Sequence, residues 1–521
     1  MNIHQFVNFL RTTGQLWQTP PHITPNLSGP RLARRMLRQA EQGKALLIAP
    51  ATGYMAKLLL GGFGHSTRLA NALGVNDLNE LEERVRCTLQ TAPHHWNKAW
   101  SKLQSWEPII TDEQHPVYTS SANMDMIKLP SQRNHILDGG NFLTMGIVSI
   151  FDWQENRQHI GIYRIQIHNR QEATINFLPG SKGEQIVSRA QNTGNSLPIA
   201  IILGAPASYI LAATTPVPHN ISRLALAQWL SNNEDKLINY GPFTVPRSSQ
   251  VVLLGHMPPG QTSVEAPFFN HTGAPTKPRL CPVFKFEECW SETNPLIQGV
   301  VTGKFPTETH VLGEAVEAIL RPLAQHCCRS IANIYFIRAG IYHGATVIDL
   351  TPAGSIEHAL DFLRQHRPWS ASRLLVFTHN LSGCSNKSIF LHLLSRVRPR
   401  SINILNKQLI IDATGTYRSL LEDGSQKSLE AWQAMGVECK VPFEGMQNRL
   451  ILGFSDSTVK PLELQAVHTA GPTLLLLQDR QLLNADLETM IWRAINQVSL
   501  SDDIYQSESL LIVDARNSTF P

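Results

Sequence analysis

Apolar and polar positions divide the chain into stretches of different texture. In residues 1–115, helix and strand signals alternate, as in an α/β segment. Ser28-Gly-Pro30 opens a predicted helix that runs through Gln42, with Pro30 in its first turn and Gly43 as its stop. Ala45–Pro50 is a continuous apolar run, the pattern of a buried strand. Ser66–Leu73 reads as a short helix ended by Gly74, and Trp96–Trp106 as a helix with aromatic core anchors. Residues 116–305 carry short apolar runs punctuated by Pro and Gly, the texture of a barrel-like sheet. Thr307–Gln325 spaces Val311, Ala315, Ile319 and Leu323 along one face, which predicts an amphipathic helix.

The centre of the pattern is Asp138–His168. Two glycines, where backbone can approach another group closely, precede two runs, Leu143–Phe151 and Ile160–Ile167. The spacing predicts paired strands joined by the charged turn Asp152–Gln158. Arg164 sits inside the second run, between Tyr163 and Ile165. A charge there is costly unless an anion meets it; the alternative is a side chain on the solvent face. Leu197–Ala213 is the most apolar stretch, but Pro198, Gly204 and Pro206 make it strand, tight turn and helix rather than a membrane span.

Residues 326–521 alternate strand and helix signals and suggest a diverged repeat. Arg373–Asn380, a helix and Gln408–Gly415 form one copy; Thr473–Arg480, the helix Leu487–Asn496 and Leu510–Asn517 form the other.

Composition narrows the classes. A chain of 521 residues is too long for one core and implies two or three domains. The hydrophobic fraction of 42% and charged fraction of 17% fit a soluble globular protein. A net charge of +4 without a Lys/Arg block speaks against a nucleic-acid partner. The first residues lack the basic and apolar regions of a signal peptide. Seven scattered cysteines without a C-x-x-C pair fit reduced thiols, with Cys327 and Cys328 in the core, so a cytoplasmic location is expected. The 20 histidines form no H-x-x-x-H or HExxH pairing, which removes a His-based metal hydrolase.

Particular residues then point to a family. Asp138–Gly146 (DGGNFLTMG), His159–Gln166 (HIGIYRIQ), Leu197–Pro218, Val264–Gly273 (VEAPFFNHTG) and Ile410–Gly415 (IIDATG) follow one another, with Leu69–Val75 and Ile127–Pro130 upstream. In order and spacing this resembles the UbiD-type decarboxylases, which use prenylated FMN. The resemblance implies a mixed α/β protein. Its parts would be an N-terminal α/β segment (1–115), a split β-barrel flavin domain (116–305), a linker helix (306–325) and a C-terminal α/β oligomerisation domain (326–521). It implies a pocket between the barrel and the N-terminal segment, lined by Ile162, Tyr163, Arg164, Phe177 and Leu178. Decarboxylation leaves carbanion character that no side chain delocalises, so a cofactor must act as electron sink. Arg164 matches the family's catalytic arginine, and Glu265 the first of its two acids.

The chain departs from the family at several places. His159 stands at a metal-binding Asn, Arg223 at a metal-binding Glu, and Asn270 at the acid that protonates the product. The third ligand, a His, is not evident in Asn176–Gly183, where Lys182 lies instead. Lys407 is one position early for a lysine near the cofactor phosphate. Arg223 alone carries the +1 charge of a divalent cation with one carboxylate, so it could hold the phosphate directly, with His159 and Lys182 adding donors. Retained Mn²⁺ is disfavoured, because Arg223 would repel it. The other reading is a decayed site. Asn270 cannot donate a proton; His271 beside it, or Glu265, would have to.

Two functions remain open. One is non-oxidative decarboxylation of an aromatic or α,β-unsaturated acid, with a flavin prenyltransferase supplying the cofactor. The other is a non-catalytic paralogue acting as a binding or assembly protein. In both, residues 326–521 are expected to form a homo-oligomer.

Overall fold

The computed structural model describes residues 1–39, 43–49, 53–104, 109–381, 385–415, 424–443, 449–469 and 471–516. The fold is mixed α/β. It divides into two compact units, one of residues 1–270 with 275–323, the other of residues 271–274 with 324–521.

The first unit is built on two sheets. In the four-stranded sheet, Leu16–Gln18, Ala45–Ile48, Lys57–Leu60 and Leu296–Gly299 lie side by side. The larger sheet has ten strands and is antiparallel throughout. Its path runs from Asn141–Leu143 through Ile165–Ile167, Glu172–Ile175, Arg279–Ser291, Val251–Met257, Leu197–Leu203 and Ile147–Asp152 to Arg157–Ile162. Among the described residues no ladder joins the two ends of this path. Ile150, Ile165, Ile175, Ile201, Leu253 and Phe284 form one buried cluster, which also takes in Leu46 and Leu60 of the smaller sheet.

The paired runs of the sequence pattern are present, but each is broken. Leu143–Phe151 splits into Asn141–Leu143 and Ile147–Asp152, and Ile160–Ile167 into Arg157–Ile162 and Ile165–Ile167. The cause is a change of partner. Ile162 lies opposite Ile147, whereas Ile165 lies opposite Leu143 and Ile175. Arg164 therefore sits at a bend between two strands and not within one.

The helices largely follow the sequence periodicity. Ser28–Leu37 is helical and is capped at Arg38, shorter than the expected run to Gln42, which itself lies outside the described residues. Ser66–Leu73 ends on Gly74, whose φ of +78° is the left-handed cap a glycine accepts without strain. Trp96–Lys102 is shorter than expected; Trp100 is fully buried, and Trp106 lies outside the described residues. Leu197–Leu203 leads through Gly204 (φ +69°) into the helix Ala207–Thr214, as the Pro/Gly punctuation required. No described helix is long and apolar enough to cross a membrane, and the six described cysteines are free thiols.

The second unit holds two five-stranded sheets of the same design. One orders Ile331–Phe336, Ala345–Leu350, Leu374–His379, Gln408–Ala413 and Ile402–Leu405. The other orders Glu438–Lys440, Leu450–Ser455, Leu474–Asp479, Leu511–Asp514 and Ile504–Gln506. In each, the outer ladders are antiparallel and the two inner ladders parallel. A cavity of about 580 Å³ in this unit is lined by apolar residues of both sheets, among them Val347, Val376, Leu450 and Leu476.

The linker helix runs Glu308–Cys327, and its first residue is a buried carboxyl. Glu308 accepts hydrogen bonds from the backbone N–H groups of Gly61 and of Val301 (3.1 Å). Burial outweighs these bonds and nearby Arg68, and pushes the carboxyl from its ordinary 4.5 up to about 7. The folded state then binds this proton more tightly than the unfolded chain does. Its stabilising contribution is present below the ordinary value and is lost as pH rises to about 7. Thermal unfolding measured across that window should show the midpoint falling with rising pH. Glu308→Gln should flatten the slope, and an unchanged slope would contradict the assignment.

Candidate active site

Sequence-distant motifs converge on the carboxylate of Glu265. This residue ends the strand Thr262–Glu265, opposite Arg279, and is fully buried. A buried carboxylate is tolerated only when paired and hydrogen-bonded. Arg164 supplies the pair: its Nε donates to Oε1 at 2.8 Å and its Nη2 to Oε2 at 2.5 Å. Asn176 Nδ2 donates to Oε2 as well. Thr276 Oγ1 lies 3.4 Å from Arg164 Nη2, and the guanidinium sits 5.2 Å from the centre of the Phe268 ring. Asn176 Nδ2 also lies 3.6 Å from Cys281 Sγ. Burial, then the Glu265 charge, pushes that thiol up to about 11, so it stays protonated at neutral pH.

The glycine-rich element holds the loop that follows Glu265. Asp138 accepts from Asn134 N at 2.7 Å, His135 N at 2.9 Å and Phe269 N at 2.6 Å. Gly139 N donates to Pro267 O at 2.8 Å, and a Cβ on Gly139 would stand 2.6 Å from Ala266 Cβ. A Cβ on Gly140 would collide with Gln166, whose Oε1 accepts from Ala266 N at 2.7 Å. Close approach of backbone to backbone is therefore what the two glycines provide.

Arg164 has one edge to spare. Its side chain is 18% exposed, and among the described residues its Nη1 makes no hydrogen bond. Next along the chain, Tyr163 packs on Phe177 with ring centres 4.6 Å apart. Gly161 and Gly183 leave room for the Tyr163 ring, because a Cβ at either would strike it. Ile162 is half-buried and Leu178 is 63% exposed. None of these residues lines the described cavity, so the pocket expected around them is not that one. Asn270 lies outside the Arg164–Glu265 network, and His271 falls in the second unit. Lys407 also belongs to that unit, at a left-handed turn position (φ +64°) between two of its strands.

A second cluster surrounds His159. Its Nδ1 lies 3.4 Å from Arg223 Nη1 and its Nε2 lies 3.3 Å from Tyr163 Oη. Arg223 also reaches Ile160 O at 3.3 Å and Thr215 O at 3.0 Å. Burial holds the His159 imidazolium well below its ordinary range, and Arg223, Lys182, Arg157 and His219 push the same way. Lys182 is paired with Glu155 at 2.5 Å. A divalent metal does not fit here. A guanidinium occupies the position where a ligand carboxylate would be needed, and among the described residues no three His, Cys, Asp or Glu side chains converge.

Residues 109–305 match the family model described as the UbiD 3-octaprenyl-4-hydroxybenzoate carboxy-lyase Rift-related domain. The chain carries a UbiD domain. Its fold resembles vanillic acid decarboxylase of Sedimentibacter hydroxybenzoicus in its closed form (TM-score 0.71, 19% identity, 83% of this chain and 98% of that one). It also resembles an evolved dimeric form of the UbiD-class enzyme HmfF of Pelotomaculum thermopropionicum in complex with prFMN (0.67, 18%, 82% and 98%). A third likeness is to the apo 3,4-dihydroxybenzoic acid decarboxylase of Enterobacter cloacae (0.64, 16%, 81% and 97%).

Within the UbiD domain, sequence reasoning found Arg164 and Glu265 but missed Asn176, Gln166 and Asp138 as the residues that fix them. The one available signal was a polar Asn176 following the apolar strand end Ala173–Ile175. Removing Arg164 alone would strand a buried charge. Arg164→Ala should cost about 3–5 kcal/mol in urea denaturation. Adding Glu265→Gln should return part of that loss. Strictly additive losses would show that the two side chains are not coupled.

Proposed function

We propose that this chain is a carboxy-lyase that removes CO₂ without net oxidation from an aromatic or α,β-unsaturated acid, using prenylated FMN. The observation that carries the proposal is the division of labour within Arg164. Nε and Nη2 hold Glu265, while among the described residues Nη1 makes no hydrogen bond and the side chain is partly exposed. A guanidinium fixed in this way is preorganised to receive a second carboxylate, that of a substrate. The relatives named vanillic acid and 3,4-dihydroxybenzoic acid decarboxylase, and HmfF with prFMN, support the substrate and cofactor classes.

Residues around Arg164 suit a flavin: the Tyr163 and Phe177 rings for an aromatic system, and the Arg223–His159 cluster for a phosphate. When bound, the cofactor supplies the electron sink that side chains lack. Arg164 orients the substrate carboxylate. A proton must then reach the carbon that lost CO₂. Among the described residues Glu265 is the only carboxyl in the network, and Arg164 and Asn176 donate three hydrogen bonds to it. In this reading Glu265, held in place by Arg164, is the group that moves the proton.

Asn270 favours a second reading, a UbiD-like chain without turnover, because an amide has no proton to give. The two readings separate in one assay. Protein co-produced with a flavin prenyltransferase is mixed with a panel of hydroxybenzoic and cinnamic acids, and CO₂ release is followed. Turnover that falls at least about 100-fold in Arg164→Ala is the result expected if a transition-state contact is lost. Flavin-loaded protein that releases no CO₂ and exchanges no labelled bicarbonate would establish the second reading.

A further inference from the structure

The likeness between the two halves of the second unit extends beyond strand order. In each half a central strand is followed by a helix, a short outer strand and an inner strand. These are Leu374–His379, Asn386–Leu394, Ile402–Leu405 and Gln408–Ala413 in one half. In the other they are Leu474–Asp479, Leu487–Gln497, Ile504–Gln506 and Leu511–Asp514. The pairing registers match residue by residue. Leu374 lies opposite Leu409, and Leu474 opposite Leu511. Ile402 lies opposite Ile411, and Ile504 opposite Val513. Leu374 therefore corresponds to Leu474, Leu409 to Leu511, Ile411 to Val513 and Ile402 to Ile504.

All of these side chains belong to one apolar cluster, centred on Ile402, Leu409 and Leu511. They also line the cavity of about 580 Å³, together with Val376 and its counterpart Leu476. Strand side chains alternate between faces, so Leu374 shares a face with Val376, and Leu474 with Leu476. Each sheet thus turns the same aliphatic face towards the other. Contact of a patch with its own equivalent is the mark of a two-fold interface. The two inner ladders of each sheet are parallel, and parallel strands are found with both faces covered. Here the cover of one half is the equivalent face of the other.

We infer that the second unit is an internal two-fold pair. Each half is the partner that the other would otherwise have to find in a second copy of the chain, and the face they share is closed to self-association. The homo-oligomer expected of residues 326–521 then has to form through a different face. This holds independently of the carboxy-lyase reading, because it uses neither Arg164 nor a flavin.

Sedimentation velocity and thermal unfolding of the full-length chain test it. Leu409→Ala and Leu511→Ala truncate side chains at equivalent positions of the shared face. Each should lower the unfolding midpoint, since removing part of a packed leucine destabilises. Neither should change the sedimenting mass from that of wild type, over a roughly hundredfold range of protein concentration in which an interface between chains would respond to mass action. Should an alanine variant fail to fold, Leu409→Val and Leu511→Val make the same comparison with a smaller change of volume. A variant that sediments at a smaller mass than wild type would overturn the inference, because the face would then join two chains. Midpoints left unchanged by both substitutions would overturn it as well, because the two faces would not be packed together.

Discussion

The buried carboxylate of Glu265 is the constraint on which the rest of the site depends. No solvent reaches it, so its charge has to be answered by the protein alone. Arg164 answers it with two bonds and Asn176 with a third. To bring Arg164 there, the strand that begins at Arg157 must abandon one neighbour for another at Tyr163–Arg164. To hold the other side, the backbone at Gly139 must come within hydrogen-bonding distance of Pro267, and Gln166 must cap Ala266. The arginine-bearing bend, the two glycines and the loop after Glu265 are in this sense parts of a single solution. Changing any one of them would expose or strand the same charge.

Much of this was legible in the sequence, for identifiable reasons. Local periodicity predicted the helices around Ser66–Leu73 and Glu308–Cys327 and the strand–turn–helix at Leu197–Thr214, because each is decided by neighbours within a few residues. The family resemblance marked Arg164 and Glu265. What the sequence could not show was the break in each central strand. A change of partner is a long-range event, and the apolar run continues across it unchanged. Nor could it show that Asn176 donates to a carboxylate 89 positions later, or that Glu308 opens its helix as a buried acid held by Gly61 and Val301. Those contacts depend on how sheets are stacked.

The departures from the family now separate into two kinds. Arg223 in place of an acid has a structural rationale, since its guanidinium bonds Thr215 O and Ile160 O and faces His159. Asn270 in place of an acid has none in the Arg164–Glu265 network, whose bonds among the described residues run through Arg164, Asn176 and Thr276. The second unit adds a feature of its own. Its two five-stranded sheets share strand order and pairing sense, a regularity that the paired sequence segments around Leu374–His379 and Leu474–Asp479 already suggested.

The central claim is that the residues around Arg164 form a working prenylated-FMN site. It is tested most directly by identifying the flavin that the protein retains when co-produced with a flavin prenyltransferase, by absorbance and intact mass. The account predicts prenylated FMN at close to one per chain. Protein that emerges from the same preparation folded but free of flavin would contradict it.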